Sequence, residues 1–357
     1  MPTRELKRCQ RCVMLSTWQG ITFSPDGVCS VCQEHDKKKD IHWRSRQEYL
    51  IKILRTYRNL AKNSGNKYDC ILGYSGGKDT AYTLWAAVRK YSMRPLVVTF
   101  DHGFKLSDEG EYNLTEIPKK LDCDHLRFTI GSGLRNALCL KGSELIGDFC
   151  IHCHLGIGSF PARISKLFGI PLQIWGEPTA EYQTTGDYKL SDIEEQNKEH
   201  FEKVFLSGLT SDRILPAEYE LLDLQPMTWP QGSFPLKAIY LGNFEPWNQR
   251  EHVEIITREL GWKSKLSENT YVTWDKVDCP YETIRDWQKW LKRGFGRVTF
   301  QASKDIREGR ITREEALELI ARYEGRRPSN MDSFLSDIGM TEEEFNRLTL
   351  AKLVRWR

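Results

Sequence analysis

Long apolar runs are missing from this chain of 357 residues, and no stretch approaches the roughly 20 residues that a bilayer crossing needs. A membrane-spanning role is therefore not expected. Charge of one sign is missing too: 52 Lys and Arg face 49 Asp and Glu, leaving a net +3. Bulk electrostatics thus give nucleic acid little reason to bind, which leaves only a local basic patch as a route to it. The opening residues, Met-Pro-Thr-Arg-Glu-Leu-Lys-Arg, lack the apolar centre of a signal peptide, so a cytoplasmic setting is expected. No internal repeat is visible. The Walker A pattern is absent, since Leu72 stands where its first glycine belongs and Asp79 where its Ser or Thr belongs. No glutaminase elbow surrounds any cysteine.

Cysteine, by contrast, is plentiful, with six of ten in three Cys-x-x-Cys pairs. In a reducing compartment such pairs bind metal or do redox work more often than they form disulfides. Cys9-x-x-Cys12 and Cys29-x-x-Cys32 are sixteen residues apart, a spacing that suits two knuckles giving four thiolates to one structural zinc. The alternative is four free thiols in a tail. Residues 1–40 contain little else that could form a core, so zinc would supply most of their folding energy.

Past a charged run at residues 35–40, apolar residues at helical spacing predict a linker helix over 45–62. Strands are then expected at 68–74, 95–100, 125–130, 172–175 and 238–241. Helices are expected at 80–91, 108–121, 157–168 and 247–260. This alternation predicts an α/β fold in which helices cover both faces of a parallel sheet. The pattern fails between Tyr182 and Pro235, where an insertion or lid is expected. From 261 to 357 the chain reads as helical, with capping boxes at Thr312–Glu315 and Thr341–Glu344. The expected layout is a metal module (1–40), a linker helix (41–66), an ATP domain (67–260, with 182–235 inserted) and a helical C-terminal region.

The sharpest signal is Tyr74-Ser75-Gly76-Gly77-Lys78-Asp79-Thr80, between the first strand and its helix. Two glycines let the backbone turn tightly and bring its N–H groups to an anion. The helix start adds its positive dipole end, Ser75 and Thr80 add hydroxyls, and Lys78 adds a full charge. Asp79 beside a phosphate makes sense as a magnesium ligand or as a helix cap.

This loop resembles the signature of the PP-loop ATP pyrophosphatases, Ser-Gly-Gly-x-Asp-Ser/Thr. The resemblance implies a five-stranded parallel sheet with ATP across the carboxyl ends of its strands. Tyr74 to Thr80 would then bind ATP and its Mg2+, with Lys78 and Asp79 in catalytic roles. Residues following the second strand, Thr99, Phe100, Asp101 and His102, would line the nucleotide pocket, unless they form only a polar turn.

Further stretches narrow the match: Val98-Thr-Phe-Asp-His-Gly-Phe104, Cys150-Ile-His-Cys-His154, Trp175-Gly-Glu-Pro-Thr-Ala-Glu-Tyr182 and Lys292-Arg-Gly-Phe-Gly-Arg297. Together they are similar to the N-acetyl sugar amidotransferases of lipopolysaccharide O-antigen and flagellin sugar biosynthesis, over Cys9 to about Gly325. That family implies adenylation of the acetamido oxygen of a nucleotide-linked sugar and its replacement by ammonia, giving an acetamidino sugar, AMP and pyrophosphate. Ammonia would come from a separate glutaminase and its barrel-shaped, cyclase-like partner. On this reading Glu177 is a candidate for proton handling and Glu181 for sugar binding, the alternative being a solvated loop. Arg293 and Arg297 would grip the sugar diphosphate, or else belong to a basic surface helix.

Cys150, Cys153 and the distant Cys279 admit three readings: a [4Fe-4S] cluster of the kind some tRNA-thiolating PP-loop enzymes use, a second zinc with a histidine, or unligated thiols beside the pocket. A tRNA sulfurtransferase is accordingly the competing function, and a zinc-nucleated ATP-binding scaffold without turnover is a third. Nothing in the sequence fixes an oligomeric state.

Overall fold

A computed structural model describes residues 6–182, 189 and 192–352 of the chain. Five short runs become strands: β1 (Cys70–Gly73), β2 (Pro95–Asp101), β3 (His125–Thr129), β4 (Leu172–Trp175) and β5 (Lys237–Tyr240). All pair in parallel, in the order β3-β2-β1-β4-β5. Parallel pairing buries both faces, and residues alternate between them. Cys70 and Leu72 of β1 join one core, and Ile71 joins the other.

The first core is closed by α2 (Trp43–Asn63), α3 (Lys78–Trp85), α4 (Asp108–Lys120) and α10 (Gln249–Leu260), and α1 (Ser30–Asp36) precedes them in the amino-terminal module. The opposite core is closed by α5 (Ser132–Ile146) and α6 (Ile151–Phe168). The helix α5 was not anticipated. Its apolar residues do not keep to one stripe, because it packs on the sheet side through Leu138 and on the C-terminal helices through Cys139. The expected helix at 157–168 starts earlier, at Ile151, so Cys150 and Cys153 lie at its first turn.

Three one-turn helices, α7 (Thr179–Tyr182), α8 (Lys198–His200) and α9 (Ser211–Ile214), follow β4. Part of the expected insertion, 183–188 with 190 and 191, lies outside the described residues. Its described remainder packs on one face of the sheet domain. Phe201, Leu206, Ile214, Leu224 and Met227 are buried against α6 and belong to the core.

The C-terminal region consists of α11 (Glu282–Arg293), α12 (Arg297–Arg307), α13 (Arg313–Tyr323), α14 (Met331–Ile338) and α15 (Glu342–Ala351). Phe149, Tyr281, Phe334 and Phe345 form its core against α5. At Thr312 the reciprocal capping box is present, with the Thr312 hydroxyl accepting from Glu315 N–H and the Glu315 carboxylate accepting from Thr312 N–H. At Thr341 the hydroxyl accepts from Glu344 N–H.

Sheet order decides where a ligand can sit. From β1 the chain steps out through β2 to β3, then returns to the other side of β1 for β4 and β5. The strand order therefore reverses at β1/β4, and a crevice opens at the carboxyl ends of these strands.

Candidate active site

The loop after β1 lies at that crevice. Gly76 has φ +82°, and a Cβ there would come within 3.1 Å of the Leu114 backbone nitrogen, so both conformation and space call for glycine. Its carbonyl accepts from Trp262 Nε1 (2.9 Å). Ser75 N–H donates to Thr80 Oγ1 (3.3 Å) and Gly77 N–H to Ser75 Oγ (3.3 Å), so the two hydroxyls brace the turn. Gly77 begins α3 and offers no side-chain cap, which leaves amide donors at the positive end of the helix. These features suit an anion. Tyr74 contributes its backbone, while its ring is buried with the hydroxyl donating to the Asn113 carbonyl (2.7 Å).

Lys78 is buried, with Nζ 2.9 Å from Asp79 Oδ2 and 3.3 Å from Asp275 Oδ1. Burial works against the ammonium, but Asp79 and Asp275 outweigh it and hold Lys78 above the ordinary lysine range. Asp275 also accepts from Arg297 (2.6 Å). Burial opposes its ionisation, yet Arg297 and Lys78 keep its carboxyl well below the usual range. Arg297 further binds Asp286 (2.7 Å) and Glu282. It therefore lies within a buried cluster of carboxylates and not on a basic surface helix. Arg293 stands apart at the end of α11, half-buried, with its carbonyl accepting from Thr17 Oγ1 (2.6 Å).

Glu177 lies beside the same loop, in the turn after β4. Gly176 makes this possible, since a Cβ there would meet Thr83 Oγ1 at 2.5 Å and the Asp79 carbonyl at 3.3 Å. Glu177 accepts from Lys304 of α12 (3.0 Å) and from Gln249 (3.3 Å). Burial pushes its carboxyl up, against the pull of Lys304. Glu181 accepts from Lys38 (2.5 Å). Burial pushes its carboxyl up as well, but Lys38 and Lys304 outweigh that and hold it below the ordinary range. Neither glutamate is a solvated loop residue.

After β2 the expected residues divide. His102 reaches the Asp278 carbonyl through Nε2 (3.2 Å) while Nδ1 accepts from Phe104 N–H (3.1 Å), so Nε2 carries the proton. Asp101 is paired with Arg127 (2.7 Å) and also accepts from Gly103 N–H. Thr99 donates to the Tyr74 carbonyl (2.6 Å), tying β2 to the loop. Phe100 turns into the α6 core against Phe128 and Phe160, away from the loop.

Cys9, Cys12, Cys29 and Cys32 converge as the spacing predicts. All four are buried, and their sulfurs lie within 4.8 Å of one another. The Cys12–Cys29 and Cys9–Cys32 sulfurs are 3.7 and 4.0 Å apart. Backbone N–H groups of Cys12, Met14 and Cys29 donate to these sulfurs, which favours thiolates. Hydrogen bonds within the quartet pull Cys9 and Cys12 down and push Cys29 and Cys32 up; thiols this close ionise together only around a cation. The donor set fits one tetrahedral metal ion.

Cys150, Cys153 and Cys279 are not within that spacing, although, besides burial, Cys153 and Cys279 both push the Cys150 thiol up and Cys153 pushes Cys279 up. Burial first, and then neighbouring negative charge, pushes Cys279 up to about 12. His152 is engaged elsewhere, near the Phe149 carbonyl (3.2 Å) and the Cys139 sulfur (3.4 Å). Cys279 follows Asp278, whose carboxylate lies 3.5 Å from where a Gly77 Cβ would stand, so the trio borders the loop.

Residues 268–355 match the family model described as LPS biosynthesis protein WbpG-like, C-terminal domain. The similarity thus falls on the region that supplies Asp275, Arg297 and Lys304. No curated protein matches the chain. Among solved structures, it is similar to the crystal structure of NAD+ synthetase from Burkholderia pseudomallei, at 13% identity and a TM-score of 0.26, over 65% of this chain and 92% of that one. The fold assignment rests on the strand order, not on that likeness.

Asp275, Asp278, Lys304 and Gln249 were missed by sequence reasoning. The sequence alone did not single out Lys304; the folded structure does. In α12 the buried positions include Thr299, Gln301, Ser303, Lys304 and Asp305, and a helix that buries polar residues faces a site or a network.

Proposed function

We propose that the protein is an ATP-dependent, AMP-forming amidotransferase of the PP-loop class that acts on the acetamido group of a nucleotide-linked sugar in lipopolysaccharide biosynthesis. The observation that carries this reading is the uncapped Gly76–Gly77 turn with buried Lys78, located where the strand order reverses. The match of residues 268–355 to an LPS biosynthesis family supports the pathway part of this reading.

An amide oxygen is a poor leaving group. Transfer of AMP from ATP to that oxygen releases pyrophosphate and makes the carbon electrophilic. Ammonia then attacks the carbon, AMP departs with the former amide oxygen, and an amidine remains. The loop amides and Lys78 hold the pyrophosphate as its charge develops. Asp79 would hold Mg2+, which would neutralise phosphate charge when bound. Glu177, its carboxyl raised by burial, is the group for proton handling at the attacking ammonia. The four-cysteine module holds zinc. Ammonia is delivered by a separate glutaminase with a barrel-shaped partner.

The test is incubation of the purified protein with ATP, magnesium, an ammonium salt and UDP-acetamido sugars. AMP, pyrophosphate and a sugar about one mass unit lighter are expected. ATP turnover with the sugar mass unchanged would defeat the reading. A sulfur-transfer reading has one observation in its favour, the grouping of Cys150, Cys153 and Cys279 beside the loop. Iron in anaerobically prepared protein, together with thiolation of added tRNA, would favour it.

A further inference from the structure

A cavity of about 150 Å³ opens between α11, the start of α12 and the turn from Tyr323 to Pro328. It lies within residues 268–355 and none of the site residues expected from the sequence, apart from Arg297, touches it. Three features of its walls suit one kind of ligand.

First, Trp287 and Trp290 stack on each other at 5.1 Å and line one side. Gly325, with φ +76°, lies so close to Trp290 that a Cβ would approach the indole to 2.9 Å, so the turn can lie against the aromatic wall only as glycine. Second, the remaining walls carry planar polar groups already joined in a network: Asn269 Nδ2 (2.6 Å) and Arg297 Nε (2.7 Å) both donate to Asp286, and Glu268 accepts from Ser329 N–H (2.9 Å), so a ligand meets their remaining donors and lone pairs. Trp287 Nε1 is buried and has no hydrogen-bond partner among the described residues. Third, Arg297 joins the cavity to the phosphate loop. Its Nε is 2.7 Å from Asp286 in the wall, and its Nη1 is 2.6 Å from Asp275, whose other oxygen is 3.3 Å from Lys78 Nζ.

A pyranose ring has weakly polar C–H faces and a rim of hydroxyls. Aromatic walls suit the faces, through attraction between the π quadrupole and polarised C–H groups, and planar carboxylate, amide and guanidinium groups pair with adjacent hydroxyls. The volume accommodates one ring. A charged peptide or lipid has no counterpart in such a small cavity of mixed polarity.

We infer that this cavity is the sugar subsite, taking the acetamido pyranose ring against Trp287 and Trp290, with Asp286, Asn269 and Arg297 on its hydroxyls and the exposed Arg326 at its rim. The inference rests on the proposal that the substrate is an acetamido sugar, and adds where that sugar binds. Arg297 then has two duties: it walls the sugar subsite and, through Asp275, positions Lys78.

The test is saturation-transfer NMR and calorimetry on the full chain with UDP-N-acetylglucosamine and a panel of other UDP-acetamido sugars, beside calorimetry with a non-hydrolysable ATP analogue. Wild type is expected to show transfer to the ring protons and the acetamido methyl. Trp290→Ala is expected to weaken sugar binding by about tenfold or more, as loss of an aromatic anchor does, with the ATP analogue unchanged within about twofold. Trp287→Phe keeps an aromatic ring but shortens the wall by one fused ring and removes the indole N–H, and Arg326→Ala changes an exposed side chain. These two decide the matter if Trp290→Ala does not fold, both being expected to weaken the sugar and spare the analogue. Equal sugar affinity in wild type and the folded variants overturns the subsite alone. Joint loss of sugar and analogue also overturns it, by making the cavity part of the nucleotide site. No binding of any UDP-acetamido sugar by wild type overturns the proposed function itself.

Discussion

At the scale of single residues, the site is governed by buried charge. Lys78 stays ionised because Asp79 and Asp275 face it, and Lys78→Ala should lower pyrophosphate release by about 10²–10³, the usual effect of removing one donor from a developing anion. Lys304→Met would strand Glu177 without its cation and should cost about 3–5 kcal/mol in urea denaturation. Asp275 adds a pH dependence. Its folded carboxyl titrates below its unfolded value of about 3.9, so the unfolded chain binds the proton first. Its contribution is therefore present above about pH 4 and lost as the pH falls further. Asp275→Asn should be less stable than wild type at neutral pH, and the gap should narrow in melts below pH 4. Gly76→Ala should destabilise by about 1–2 kcal/mol, because an L-residue resists φ +82° and Leu114 blocks its Cβ.

Among the elements, α12 connects the most parts of the molecule. One end carries Arg297 to Asp275, and its middle carries Lys304 to Glu177. The other side receives the amino-terminal module: Trp18 stacks on Phe300 (5.6 Å) and lies against Phe295 (5.4 Å), while Val13 packs with Ala302 and Ala316. A module with so little core of its own would depend on a metal held by its four cysteines. Stripping the metal with a chelator should therefore raise hydrogen exchange in 297–307 as well as in 6–36. Exchange that rises only in 6–36 would show that the module and α12 are uncoupled. At the start of α13, Thr312→Ala removes half of a capping box and should cost about 1 kcal/mol.

Over the whole molecule, three stretches distant in sequence are tied at one place. The loop after β1, the turn after β4 and the C-terminal helices meet through Lys78, Glu177, Asp275, Arg297 and Lys304. Lys38 adds the amino-terminal side through Glu181. Ligand binding at such a junction stabilises all the parts together, so a saturating ATP analogue should raise the midpoint of thermal unfolding seen by far-UV and near-UV dichroism alike. A rise in only one signal would indicate parts that unfold independently. Among the described residues, no helix is long and apolar enough to cross a membrane.

The sequence by itself determined the features that are local. β4 was legible to the residue, the other four strands to within two, because buried parallel strands read as short apolar runs. The glycine turn after β1 was legible because the φ of +82° at Gly76 strongly favours glycine, and the four-cysteine cluster because residues three apart form a knuckle. Tertiary structure alone decided the rest. Phe100 faces the core because strand residues alternate and β2 puts that side against α6. Arg297 lies among carboxylates, and Lys304 on Glu177, because α12 is pinned between the metal module and the loop. Charge partners 127 and 197 residues apart leave no periodic trace in a sequence, since their pairing depends on distance in space and on the low dielectric of the interior, which only the folded chain sets.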